Sequence, residues 1–433
     1  MSLFALPPGA DFARAFAAGF WSRHGALPPE EIARIEILLN NRRSVRAVEA
    51  ALAEEAPGAV LLPRLAVLAE LGADPLAIAD PPAIAPLTRL LRLTRLVEAF
   101  LAQEEGARVA PLAAAPDLAR ALAALMDECD EEDVPLAALD RATAGEHADH
   151  WGRTLEFLEI TRTAWPAIVA ESDGGAPGPK ARQRAAVMAR IAAWREVPPS
   201  HPVIAAASTG SVASTALLLA EIARLPEGAV VLPGFDPAVA ADIWEPVLAG
   251  AAPEHPFAPF RRFFSLTGAD PAEVAPWAPA PPGHRAALLA QAMRPAPVTD
   301  AWHRAGPELG ATLLEATAGV SLAEAASPRE EAATIALATR HALETPGKTV
   351  LILTQDAALA RRIGAELDRF AIQADDSLGR PLADTAPGVF LRLIAEICAA
   401  TDDPVKLSGL LMHPLLRGGR SRGAHLRQAQ LYE

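Results

Sequence analysis

The chain has 433 residues, 51% of them apolar and only 5% aromatic, with two cysteines and a formal net charge of −14. That length suits roughly two to four domains with real cores, and the negative balance excludes tight non-specific nucleic-acid binding, which rests on Lys and Arg neutralising phosphates, leaving only local basic strips. No apolar run of about 18 residues predicts a membrane span, Met1-Ser2-Leu3-Phe4 lacks the basic start of a secretory signal, and two distant cysteines, too few for a four-thiolate cluster, fit a reduced cytoplasmic protein.

Residues 3–6 read as a strand, Pro7-Pro8-Gly9-Ala10 as a turn, and Asp11 as the N-cap of a helix over 12–23. This is the place of a phosphate-binding loop, but no Lys-Ser/Thr pair follows Gly9, so the fold signal is present and the chemistry is missing. A second buried strand covers 35–39. Asn40-Asn41-Arg42-Arg43-Ser44 follows, then a helix through Val45, Val48 and Leu52. A third strand is expected over 59–62, ending at Pro63-Arg64. Strands about 25 residues apart with helices between them predict a parallel sheet. The Asn/Arg turn would stand at a strand's C-terminal edge, either as a DNA-backbone contact or as a helix cap with a solvated Arg face.

From Ile84 to about Arg195 the pattern turns wholly helical, with helices marked by Leu87, Leu90 and Leu96, by Leu118, Leu122 and Leu125, and by Trp151, Leu155 and Leu158. The acidic run over 127–133 reads as a solvated loop, since consecutive carboxylates set no ligand geometry. Residues 172–180 read as a flexible loop.

The sheet resumes at His201. Residues 203–207 form an apolar run without polar alternation, Ser208-Thr209-Gly210-Ser211 a small polar turn, 213–223 a helix, and 229–232 another buried strand. The turn stands where such folds bind anions. It would hold a phosphate or serve as a Ser/Thr N-cap closing an ordinary crossover, and both readings stay open.

The Pro-rich stretch after Asp236 carries Trp244, Phe257, Phe260, Phe263, Phe264 and Trp277, expected as core anchors rather than base-stacking platforms. His255, His284 and His303 lack metal-ligand spacing. A second α/β unit is expected from Gly319, with strands over 320–325, 349–353 and at Ile372, and helices opened by Ser327-Pro328 and by Thr354-Gln355-Asp356. Pro346-Gly347-Lys348-Thr349 is no phosphate loop: residue 342 is Ala, and the segment precedes a strand instead of following one. The chain is helical again from Pro387. Arg417, Arg420, Arg422 and Arg427 form the barest of three Arg groups, the others being Arg42-Arg43-Arg46 and Arg89-Arg92-Arg95.

Taken together, Pro7-Pro8-Gly9 with Asp11-Phe12, Asn40 to Arg43, Leu62-Pro63-Arg64, His150-Trp151, Ser208 to Ser211, Leu232-Pro233-Gly234-Phe235-Asp236, Arg294-Pro295-Ala296-Pro297, Ser327-Pro328-Arg329-Glu330, Asp375-Asp376-Ser377 and His413-Pro414-Leu415 resemble, in collinear order, the AddB subunit of alphaproteobacterial AddAB helicase–nucleases. The resemblance implies a superfamily 1 helicase-like α/β fold, with RecA-like parallel sheets and all-helical insertions. It divides the chain into a first α/β domain (1–83, resumed at 198–310), a helical insertion (84–197), the start of a second α/β domain (311–385) and the start of a second insertion (386–433). It implies a decayed motor that takes part in double-strand break repair without catalytic, nucleotide-binding or metal residues of its own, Pro7, Pro8 and Gly9 being the degenerate loop.

The family's iron–sulfur cluster and Mg-dependent nuclease would lie beyond Glu433, so the chain is expected to be an inactive, cofactor-free N-terminal portion of an ATP-dependent helicase/exonuclease subunit. The implied partners are an AddA-like helicase–nuclease subunit and DNA, single-stranded, with no membrane. The DNA-contact candidates are Asn40, Asn41, Arg42, Arg43, Arg64, Ser208, Thr209 and Ser211. The alternative is a stand-alone α/β enzyme or binding protein for a phosphorylated small molecule, using the 208–211 turn; the missing Lys and acid/base constellation count against it.

Overall fold

Four apolar runs that lack polar alternation become adjacent strands of one sheet in the computed structural model of the chain, which describes residues 1–71, 82–103, 110–135, 157–158, 163–173, 175–236, 239–279, 283–377, 379–399, 403–419 and 421–431. The strands are β1 (Leu3–Leu6), β2 (Glu36–Leu39), β4 (Val203–Ala206) and β5 (Gly228–Pro233), joined at the two edges by β3 (Arg64–Val67) and the two-residue β6 (Ala275–Pro276). The order is β3-β2-β4-β5-β1-β6 and every pairing is parallel. The sheet belongs to a unit spanning Met1–Gly319; Val320–Glu433 forms a second.

Continuous apolar strands are what a sheet covered on both faces requires. Ile37 and Leu39, with Ile204, Ala206 and Val231, face α1 (Phe12–His24) and α2 (Arg42–Glu54), meeting Phe16, Phe20, Val48 and Leu52. One residue along each strand, Leu38, Val203, Ala205 and Val230 point the other way. That second face meets Ile191 and Trp194 of the helix Pro179–Glu196, Leu218 and Ile222 of the helix Ala213–Arg224, and the anchors Phe235, Trp244, Phe257, Phe260, Phe263 and Phe264. The aromatics of the Pro-rich stretch are thus core residues, as is Trp277 on the opposite face.

The helical block contains α3 (Pro86–Leu101), α4 (Ala115–Glu132), α5 (Trp165–Asp173) and α6 (Pro179–Glu196), followed after β4 by α7 (Ala213–Arg224). Leu93, Val97, Leu122, Met126, Trp165 and Val169 form the block's own core. Of the helix expected around Trp151, residues 151–156 lie outside the described residues. Two buried carboxylates tie α6 to the rest: Glu36 receives Arg190 at 2.8 and 2.6 Å, and Glu221 receives Arg195 at 2.7–3.1 Å.

Four expectations need correction. The third strand begins at Arg64 and does not occupy 59–62, because Pro63 has no N–H to give a ladder and the first ladder donor is Arg64 N, 2.9 Å from Ile35 O. The acidic run is no solvated loop: through Glu132 it is the last part of α4, and Asp127 meets the buried Arg89 at 2.6 Å while Asp133 meets Arg184 at 2.5 Å. The supposed loop over 172–180 is shortened from both sides, by α5 ending at Asp173 and α6 beginning at Pro179.

The last correction concerns the second unit. Its helices form where the caps place them: Ser327 caps Pro328–Leu343 through Glu330 N at 3.2 Å, and Asp356 caps Ala357–Asp368 through Ala358 N at 2.7 Å. Its strands do not form. Segments 320–325 and 349–353 join no ladder among the described residues, and Leu322, Leu351 and Leu353 are 88%, 81% and 84% exposed. A strand is defined by its neighbour, and within this unit none pairs with them. Ile352 and Ile372 pack instead against Ala332, Ala336, Ile363 and Leu367.

Candidate nucleic-acid interface at the C-terminal edge of the sheet

Because all six strands run the same way, the loops leaving them gather along one edge, where open α/β sheets bind ligands. Following the strand order, these are the turn Leu68–Glu70 after β3, Asn40-Asn41 after β2, residues 207–212 after β4, 234–236 after β5 and 7–11 after β1.

The β1 loop is built to accept, not to donate. Pro7 and Pro8 have no N–H, and Ala10 N is turned inward onto Pro7 O at 3.3 Å. Gly9 takes the left-handed φ of +85° that closes the turn. Asp11 then accepts from Arg14 N at 3.3 Å, so a carboxylate sits on the positive end of α1, where an anion would otherwise bind.

The β2 loop is a cap with guanidinium groups on its outer side. Asn41 Oδ1 accepts from Ser44 N at 2.9 Å, and Asn40 Oδ1 accepts from Ser44 Oγ at 2.8 Å and from Asn41 Nδ2 at 2.9 Å. Arg42 and Arg43 stand exposed in the first turn of α2. Arg42 Nε lies 2.5 Å from Glu70 Oε1 on the β3 turn, and that bond and charge raise its already high pKa. The pair is solvent-exposed, so its guanidinium exchanges readily for another anion. Glu70, a partner 28 residues away, carries no local sequence signal.

The β4 loop differs in every respect. Ala207 is left-handed at φ +61°, which costs a residue with a Cβ about 1–2 kcal/mol. Gly210, at φ +69°, is packed so closely that a Cβ would meet Leu219 at 3.3 Å and Phe263 at 3.4 Å. The Ser/Thr cap that the sequence leaves open does not form: the N-cap of α7 is Val212, without a side-chain hydrogen bond. The Ser208 hydroxyl accepts only a long bond from Gly210 N, 3.4 Å. Ser208 and Thr209 are half-buried and Ser211 exposed. Backbone N–H groups at the start of a twelve-residue helix therefore stand without a side-chain acceptor beside three hydroxyls.

Arg64 leaves the set. As the first residue of β3 it stands at the opposite, N-terminal edge, with Nη2 3.4 Å from Arg34 O and 3.5 Å from His201 Nε2. Its expected place followed from the misplaced third strand. The Arg strip near the C-terminus is also partly spent: Arg422 donates to the carbonyls of His413 (2.7 Å), Leu416 (3.1 Å) and Met412.

Among the described residues no group of three His, Cys, Asp or Glu stands ready to hold a metal ion, and no helix is long and apolar enough to cross a membrane. Cys129 is buried and Cys398 exposed, and they lie in different units. What the edge offers is anion binding through guanidinium groups, hydroxyls and a helix N-terminus.

The fold and this edge define the class: an α/β protein whose single parallel sheet is covered by helices on both faces. No protein-family model matches the chain, and no curated protein matches it.

Proposed function

We propose that the chain is the non-catalytic, superfamily 1 helicase-like portion of an AddB-type subunit, guiding single-stranded DNA and scaffolding an AddA-like motor during double-strand break repair in the cytoplasm. The resemblance along the whole chain supports this reading, and a single six-stranded parallel sheet is consistent with a RecA-like domain. The observation that carries it is the contrast along one edge. The loop in the nucleotide position has two prolines and a carboxylate, while the β2 and β4 loops keep guanidinium groups, hydroxyls and helix N–H groups. A DNA backbone needs the latter and no general base or metal. ATP, and any cleavage chemistry, would then come from outside this chain.

The uncapped start of α7 favours one other reading, a site for a phosphorylated small molecule. Anisotropy with a labelled oligo(dT), alone and with the AddA-like partner, separates the two. Guiding DNA predicts weak binding with a shallow salt slope, roughly −0.7 per phosphate contact, and further weakening in the Arg42→Ala/Arg43→Ala double variant without unfolding. Unchanged affinity of that variant with the partner, at every salt concentration, removes this surface from the DNA path. A micromolar ATP site in calorimetry would overturn the decayed-motor reading altogether.

A further inference from the structure

We propose that Arg262 is the positioning residue of the β4 loop and that Glu132 of the helical block orients it. Arg262 lies in the first turn of α8 (Arg261–Thr267), which packs on the sheet face beside α7. One guanidinium makes three bonds there. Nη1 donates to Ser211 O at 2.8 Å and to Glu132 Oε1 at 2.9 Å, and Nη2 donates to Glu132 Oε2. This forked grip on a carboxylate fixes the plane of the group, and the remaining bond fixes the carbonyl at which the loop turns into α7.

Apart from the packing of Gly210 on Leu219 and Phe263, few other hydrogen bonds among the described residues hold the loop in place. Among the described residues its one internal side-chain hydrogen bond is the 3.4 Å bond from Gly210 N to Ser208 Oγ, Val212 supplies no cap, and Ala207 is held in a strained left-handed conformation. Strain of this kind persists only where the surroundings impose it. Glu132 is itself held firmly: it ends α4 just before the left-handed Asp133, and Glu131 and Asp133 pair with Lys180 and Arg184 of α6. The acidic end of α4 thus transmits the arrangement of the helical block, through Arg262, to the loop that presents Ser208, Thr209 and Ser211. Arg262 also neutralises a carboxylate that would otherwise stand near an incoming phosphate.

The DNA consequence rests on the function proposed above; the positioning does not. The full chain is compared as wild type, Arg262→Gln, Arg262→Lys, Glu132→Gln and Ser208→Ala/Ser211→Ala. Amide hydrogen exchange over 208–213 and oligo(dT) anisotropy are measured on each. Losing a charge-assisted bond from the exposed Ser211 carbonyl, which Arg262 fixes, predicts roughly tenfold or faster exchange in Arg262→Gln. The change should be confined to the loop, with β4 and the body of α7 unchanged and the melting curve little moved. Glu132→Gln should give a smaller rise in the same amides. Arg262→Lys, which cannot grip carboxylate and carbonyl together, should fall between the wild type and Arg262→Gln.

Unchanged loop exchange in Arg262→Gln overturns the proposal, and if that variant does not fold, unchanged exchange in Arg262→Lys does so. Faster exchange spread evenly over the sheet overturns it too, since that is a general structural loss. If the loop loosens as expected while Ser208→Ala/Ser211→Ala binds oligo(dT) like the wild type, the positioning stands and the DNA role of the loop falls.

Discussion

The strand–loop–helix units β1–α1 and β4–α7 sit two places apart in the same parallel sheet and point the same way, yet their loops have opposite chemistry. The first spends its helix N-terminus on its own Asp11 and has prolines where N–H donors would be; the second leaves its helix start free of any side-chain cap and surrounds it with hydroxyls. Topology alone therefore does not say which loop of a doubly wound sheet binds a ligand. The decision lies in which N–H groups remain unspent.

The two units are also braced differently, which gives the largest test. Trp277 anchors the β1 side. Its indole N–H donates to Phe16 O at 2.9 Å, its ring stacks on Phe16 with centroids 5.4 Å apart, and Arg23 lies over it at 4.2 Å. Gly19 leaves the necessary room, since a Cβ there would come within 2.5 Å of the indole. Trp277→Ala should cost about 3–5 kcal/mol in urea unfolding and leave amide exchange over 208–213 unchanged. A change in that loop would show that the two ends of the edge are not independent.

The cap contrast predicts a smaller pair of effects. Asp11→Ala removes a real N-cap and should cost about 1 kcal/mol, whereas Ser208→Ala removes none and should stay within about 0.5 kcal/mol. Equal losses, measured by the same unfolding curves, would mean that Ser208 caps α7 in solution and that the two loops are alike after all.

Much of the first unit is legible in the sequence because its determinants are local. Unbroken apolar runs mark β1, β2, β4 and β5, and Asp11, Ser327 and Asp356 are caps whose partners lie two or three residues on. β3 is misread because apolar residues flank Pro63 on both sides, and only the missing N–H decides between them. Arg64 follows it to the wrong edge. The acidic run is misread for a different reason: its partners Arg89 and Arg262 are 38 and 130 residues away. Glu132 and Arg262, on which the β4 loop depends, are invisible for the same reason. In the second unit the apolar periodicity of 349–353 is plain, but pairing is a property of two segments and cannot be read from one.

The smallest effect concerns two histidines on opposite faces of the sheet, the half-buried His24 and the buried His255. His24, in the last turn of α1, is held below the usual histidine range by burial and then by the neighbouring Arg23. His255, edge-on to Phe257 beneath the Trp244 cluster, is held low by burial, with Glu254 opposing. Its Nδ1 accepts from Phe257 N at 3.1 Å, a bond that requires that nitrogen to be unprotonated. Each ring thus takes up its proton at lower pH when folded than when unfolded. Both contributions are fully present above the unfolded value of about 6.5 and are lost as pH falls from there through the folded values. The loss cannot exceed about 1.4 kcal/mol per pH unit for each ring. Urea unfolding between pH 7.5 and 5.5 should therefore show stability declining with acid. His255→Asn, which keeps an acceptor for Phe257 N and cannot titrate, should decline less steeply by up to one ring's share. If wild type and variant decline in parallel, His255 does not enter the fold as the neutral ring, and the acid sensitivity lies with His24 on the β1 side alone.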